Sequence, residues 1–164
     1  MRIVATTLAL AAAVACAAPA PQGPRAIAAE YAAQGRFAEA SREIELAVRR
    51  EPRDAELRRQ AAEIYRETGQ PAEAVRHLEA AIQLAPGDPE VWIELGDLEK
   101  GRENIQDAYV AYRRAAELAP DDLRAVSGLA LTADSLGFED EAEQAYERWS
   151  ELERDDSLIP RADD

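Results

Sequence analysis

The sequence predicts an all-α solenoid of four stacked helical hairpins, and three observations carry that expectation. First, residues recur on a 34-residue ruler without slippage: Pro52, Pro86 and Pro120, then Asp54, Asp88 and Asp122, then Gly35, Gly69 and, two periods on, Gly137, then Ala40, Ala74, Ala108 and Ala142. Second, apolar residues inside each unit fall at i, i+3, i+4 and i+7, the stripe of an amphipathic helix. Third, aromatics make up only 5% of the 164 residues while alanine is abundant, which suits close helix-to-helix packing. A fixed period of this size signals supersecondary units that stack on their neighbours. Such arrays bury little beyond adjacent units and work by presenting an extended surface. The pattern therefore announces a binding scaffold without naming what is bound.

The chain opens with an expected export signal over residues 1–15. Arg2 supplies a short positive start, and residues 3–15 are apolar or small. That run is shorter than the roughly 20 residues a bilayer-spanning helix needs, but it fits the apolar core of a signal peptide. It ends at Ala13, Val14, Ala15 and Cys16, the last being the only cysteine. This resembles a bacterial lipoprotein signal, in which a small-residue box precedes a cysteine that is lipidated and becomes the new N-terminus. Ala15 fits the box, and Ala13 stands where such signals carry leucine. A lone cysteine in an exported protein favours lipidation at Cys16, because otherwise it would be an unpaired thiol in an oxidising compartment. Ordinary cleavage near Ala15 to Ala18 and a retained N-terminus are the alternatives. By the same resemblance, Ala17 after the cysteine favours the outer membrane. Residues 16–24 then read as a proline-rich tether, about 3.1 Å per residue where extended, which would hold the first helix close to a membrane surface.

The four units are expected at residues 21–54, 55–88, 89–122 and 123–156, with an acidic tail at 157–164. Asp54, Asp88 and Asp122 each precede a helix, where a carboxylate accepts orphan backbone N–H groups at about 1 kcal/mol per cap. Pro52, Pro86 and Pro120 end the helix before. Gly35, Gly69 and Gly137 suit left-handed turns inside the hairpins. In the third unit Ala108, Tyr112, Ala115 and Ala116 share one face, with an aromatic filling the gap between units.

These residues resemble the tetratricopeptide repeat family. In the third unit Trp92, Leu95 and Gly96 reproduce its W-x-x-L-G start, followed by Ala108, Tyr112, Ala115 and Pro120. The second unit keeps Ala62, Tyr65, Gly69, Ala74, Leu78, Ala81 and Pro86. The first keeps Ala28, Tyr31, Gly35, Ala40, Ile44 and Pro52, with its first helix clipped by Pro24. The fourth keeps Leu129, Ala130, Gly137, Ala142 and Tyr146, and places Trp149 where alanine is usual. The third unit departs at Glu99 and Glu103, where the family has an aromatic and a glycine, so its turn is expected from Gly101 and Asn104 or from a longer first helix. The resemblance implies a right-handed superhelical α-solenoid whose concave groove is lined by the first helix of each unit. Carried over, the groove residues are Arg59, Glu63, Arg66, Glu90, Ile93, Glu94, Asp97, Lys100, Ser127, Leu131 and Asp134, with an apolar island at Ile93 and Leu131. The carboxylate clamp of chaperone-binding relatives is absent, since Arg25, Ala29, Gln60, Glu90 and Glu94 occupy its positions.

The net charge of −14 would become −15 without Arg2, and it is graded: the first unit is balanced and acidity rises towards the fourth. Nucleic acid is excluded as a natural partner of such a surface. The gradient reads either as a polarised face for a basic partner or as solvation of the uncovered last unit. The cluster Arg49, Arg50, Arg53, Arg58 and Arg59 could meet anionic lipid. Alternatively it is neutralised by i, i+4 pairs, Glu45 with Arg49 and Asp54 with Arg58. Trp149 either packs back on the fourth unit or marks a docking edge, through which a homodimer could form. His77, the only histidine, is expected at an exposed or partly packed site. No nucleophile, phosphate loop or metal-ligand pattern is visible, so neither cofactor nor catalysis is expected. The partners are expected to be other proteins or peptides, with a membrane held through Cys16, in a bacterial cell envelope. The rival expectation is a soluble periplasmic or secreted peptide binder.

Overall fold

The computed structural model of the protein describes residues 23–157, which form eight helices and no strand. The leader, Cys16, most of the tether and residues 158–164 lie outside the described residues. In chain order the helices are α1 Pro24–Ala33, α2 Phe37–Arg50, α3 Ala55–Glu67, α4 Pro71–Leu84, α5 Pro89–Gly101, α6 Ile105–Leu118, α7 Leu123–Leu136 and α8 Glu139–Ser157. Each packs chiefly on the next in sequence, with a further contact between α5 and α7. None is long and apolar enough to cross a membrane.

Helix boundaries follow local chemistry. Asp54 accepts a hydrogen bond from the Leu57 N–H at 2.9 Å, Asp88 from Glu90 at 3.0 Å and Asp122 from Arg124 at 2.9 Å. Each satisfies a donor that the helix itself cannot. The four hairpin turns share one geometry. The residue at positive φ is Gly35, Gly69, Glu103 or Gly137, at 70°, 70°, 64° and 75°. The next N–H then reaches back five residues, Arg36 to Tyr31, Gln70 to Tyr65, Asn104 to Glu99 and Phe138 to Ala133. That is the closure that ends a helix through a left-handed residue.

The third turn thus corrects the sequence expectation. Gly101 is the last residue of α5, and Glu103 itself takes the left-handed conformation. The buried Glu99 carboxylate accepts hydrogen bonds from Arg102 Nη1 at 2.7 Å and Asn104 Nδ2 at 2.7 Å. This polar knot stands where the second hairpin has Tyr65 and holds the turn that Glu103 strains.

The core is a series of small clusters, one per junction. Ala28, Ile44 and Leu57 anchor the first; Ala74, Leu78 and Val91 the second; Ile93, Tyr112 and Ala125 the third; Tyr109, Ala133 and Ala142 the fourth. Tyr112 lies between α5 and α7 because both helices offer glycine. A Cβ on Gly96 would stand 2.8 Å from its ring, and one on Gly128 only 2.4 Å away. Its hydroxyl donates to Asp97 Oδ1 at 2.5 Å. Burial holds this phenol's pKa well above its ordinary value, with the Asp97 bond adding to the shift.

His77 is buried at 3% exposure, contrary to its expected exposed or partly packed setting. It stacks on Tyr65, with ring centroids 5.3 Å apart. Both rings bond Glu45 Oε1 of α2 at 3.0 Å, Tyr65 through its hydroxyl and His77 through Nε2.

Candidate functional site

The cleft between the second and third hairpins is built from two helical stripes. Arg59, Ala62, Glu63 and Arg66 follow i, i+3, i+4, i+7 spacing on α3, and Glu94, Asp97, Leu98 and Gly101 repeat it on α5. Pro71 and Leu78 of α4 and Arg102 complete a cleft of about 480 Å³. Its floor is apolar, since Ala62, Leu78 and Leu98 reach it from the second cluster. Its rim is charged.

Most rim charges are already committed. Arg59 spans the cleft to Glu94 at 3.1 Å and also meets Glu56 at 3.3 Å. Arg66 meets Glu67 at 3.1 Å, and Arg102 is held by Glu99. Asp97 receives the Tyr112 hydroxyl and lies 3.8 Å from Lys100. Among the described residues Glu63 alone on this rim has no hydrogen-bond or ion-pair partner. The Glu94 carboxyl is pushed up to about 7, first by burial and then by Glu90, Glu63 and Glu56, against the pull of Arg59.

Five expected groove residues, Arg59, Glu63, Arg66, Glu94 and Asp97, therefore converge on one cleft. The others do not join it. Glu90 forms a two-pronged pair with Arg124 of α7, one contact at 3.0 Å, and that guanidinium holds its carboxyl below the usual range. Lys100 lies over the Tyr112 ring at 5.3 Å. Ser127 donates to the Arg124 carbonyl at 3.4 Å. Leu131 is exposed, and Asp134 borders a separate, open hollow against α8.

Ile93 requires a correction. It is 0% exposed and packs with Ala108, Tyr112, Ala115 and Ala125, so no apolar island with Leu131 exists on the surface. Register placed it beside Arg59 and Ser127, but its aliphatic side chain gains more by joining the core than by facing water.

Sequence reasoning missed Leu78, Leu98, Arg102 and Arg124. The apolar pair carried the signature of core, and the arginines gave no signal beyond their charge. The expected neutralisation of the arginine cluster is also different. Glu45 turns to Tyr65 and His77, while Asp54 pairs with Arg25 at 2.8 Å. Trp149 is half-buried on α8, stacked on Tyr146 at 6.0 Å, and donates to Glu153 at 2.9 Å. No cluster of three or more metal-ligating side chains occurs among the described residues.

Residues 55–98, which hold most of the cleft, match the tetratricopeptide repeat family model. No curated protein matches the chain. Among solved structures, a crystal structure of MamA is 26% identical, covering 77% of this chain and 74% of that one, with a TM-score of 0.71. A second MamA crystal structure is 25% identical, covering 80% and 72%, at 0.73. The first tetratricopeptide domain of Spaghetti (RPAP3), bound to the HSP90 peptide SRMEEVD, is 20% identical, covering 70% and 90%, at 0.63. The fold is accordingly an α-solenoid of the tetratricopeptide type, an architecture of protein-interaction scaffolds.

Proposed function

We propose that the chain is a non-enzymatic adaptor that holds an extended segment of another protein in the α3–α5 cleft. The observation that carries this reading is the joining of an apolar floor to a charged rim across two hairpins, in a cleft open to solvent. A few convergent polar groups around an apolar surface are the usual makings of a recognition site. We further propose that the protein is exported and anchored through a lipid on Cys16, serving an envelope assembly of the secretion, pilus or outer-membrane biogenesis type. The sequence pattern of residues 1–16 supports that placement. A soluble periplasmic or secreted peptide binder is the competing reading. Self-association through the Tyr146–Trp149 ring pair on α8 is the other, favoured by Tyr146 at 37% exposure.

Crosslinking in the host, followed by tag purification and mass spectrometry, tests the adaptor. The expected result is a constant set of envelope proteins, lost in a Glu63→Arg, Arg66→Glu variant that changes only rim residues. Recovery of the chain alone would overturn the adaptor in favour of self-association. Lipid labelling that disappears in Cys16→Ala is expected for the anchor. Labelling that is absent from the unaltered protein would leave the soluble reading.

A further inference from the structure

The reading of the α3–α5 cleft as a peptide site leaves the chemistry of its occupant open, and the rim narrows it. We propose that the cleft selects a segment in which a lysine or arginine adjoins an aliphatic residue, the cation meeting Glu63 beside the Arg59–Glu94 pair and the aliphatic group lying against Pro71 and Leu98. This rests on the peptide-binding reading above and extends it to the class of ligand.

The argument is one of uncommitted charge. Three arginines and three carboxylates border the cleft, which by number alone would favour neither sign. The arginines are spoken for, by Glu94 and Glu56, by Glu67 and by Glu99. Asp97 is occupied by the Tyr112 hydroxyl. Glu63 has no such partner among the described residues, and it faces Glu94 closely enough to disfavour that group's charge. Arg59 is taken by Glu94 and Glu56, so the Glu63 carboxylate is left for a ligand cation. Counting the partners Glu56, Glu67 and Glu99 with Glu63, Glu94 and Asp97, six carboxylates stand against the three arginines, so the cleft as a whole favours a cation. The long stem of a lysine or arginine suits the apolar floor, since such side chains cover apolar surface while their heads stay polar.

The same geometry gives the interaction a dependence on pH. Glu94 faces Glu56, Arg59 and Glu63 of α3, with Glu90 on its own helix. Its carboxyl, raised to about 7 chiefly by burial, is mostly neutral at pH 6 and mostly charged at pH 8. Affinity for a cationic ligand therefore rises across that interval, because only the charged form attracts it.

Fluorescent nonapeptides with Leu-Arg-Leu, Leu-Gln-Leu or Leu-Glu-Leu centres in a serine–glycine frame, titrated into the intact protein, provide the test. The arginine peptide is expected to bind roughly tenfold more tightly than the glutamine peptide, the scale of one charge-assisted contact. Glu63→Gln, a surface change that leaves the packing alone, should remove most of that preference, and Glu94→Gln should flatten the rise between pH 6 and 8. Equal binding of the arginine and glutamine peptides would overturn the inference while leaving a peptide-binding cleft. Preference for the glutamate peptide would overturn it in favour of the arginines as readers. Failure of all three to bind, with the fold intact by circular dichroism, would overturn the cleft reading and the inference together.

Discussion

The third and fourth hairpins run in the same register and meet opposite fates. Tyr112 and Tyr146 occupy the same place in the repeat, yet the first is 1% exposed and the second 37%. In the third hairpin Gly96 and Gly128 clear a slot between α5 and α7, and Asp97 receives the hydroxyl. In the fourth, Ala130 stands where Gly96 would, and the described residues supply no following helix. The Tyr146 ring lies instead along Trp149 on the surface of its own helix. The turns differ in the other direction, for Gly137 adopts positive φ at ease where Glu103 is forced into it. A repeat position thus specifies a residue's environment only when the neighbouring unit completes it.

The largest way to sharpen this contrast is to remove the buried ring. Tyr112→Ala should cost about 3–5 kcal/mol by chemical denaturation, the scale for deleting a fully buried aromatic. A loss below about 1 kcal/mol would show that the slot collapses freely. Gly128→Ala comes next. The added methyl meets the ring at 2.4 Å, and overpacking of this kind costs about 1–3 kcal/mol. That penalty should vanish in a Tyr112→Leu background, and its persistence would place its cause elsewhere. Glu103→Gly should raise stability by about 1 kcal/mol, because glycine tolerates the left-handed region that other residues resist. Tyr146→Ala is the smallest, expected to change stability by under about 1 kcal/mol as surface substitutions do. A loss as large as that of Tyr112→Ala would mean that α8 is covered in solution.

Much of this was legible in the residues themselves. Asp54, Asp88 and Asp122 announce helix starts because a carboxylate before an apolar stripe has one local use. Gly35, Gly69 and Gly137 announce turns because few other residues accept positive φ. Glu103 was hidden for the same reason reversed: the period pointed to it, but its chemistry argued against a left-handed turn. Only the bonds from Arg102 and Asn104 to Glu99 explain how the turn is kept. At the site, the stripe on α3 could be read from spacing. On α5, Ile93 could not be separated from the cleft-facing stripe, because register gives the helix position while burial depends on what the next hairpin brings. Leu78 and Leu98 serve core and cleft floor at once, and composition cannot distinguish the two.

The buried imidazole of His77 makes the joint between the first two hairpins answer to protons. Its pKa lies below the ordinary 6.5 mainly through burial, with Arg58 and Arg76 opposing its charge and Glu45 favouring it. Tyr65 stacks on it, and its Nδ1 has no hydrogen-bond partner. Below pH 6.5 the unfolded chain takes up a proton that the folded one resists, so stability is full above that value and falls as pH drops towards the folded pKa. Acidification should therefore loosen α2 from α3 and α4 before the later hairpins yield, read as faster amide exchange there. His77→Phe should blunt that response, and an unchanged acid profile in the variant would assign the sensitivity to other groups. In a compartment whose acidity follows the surrounding medium, the array would then soften from its first joint.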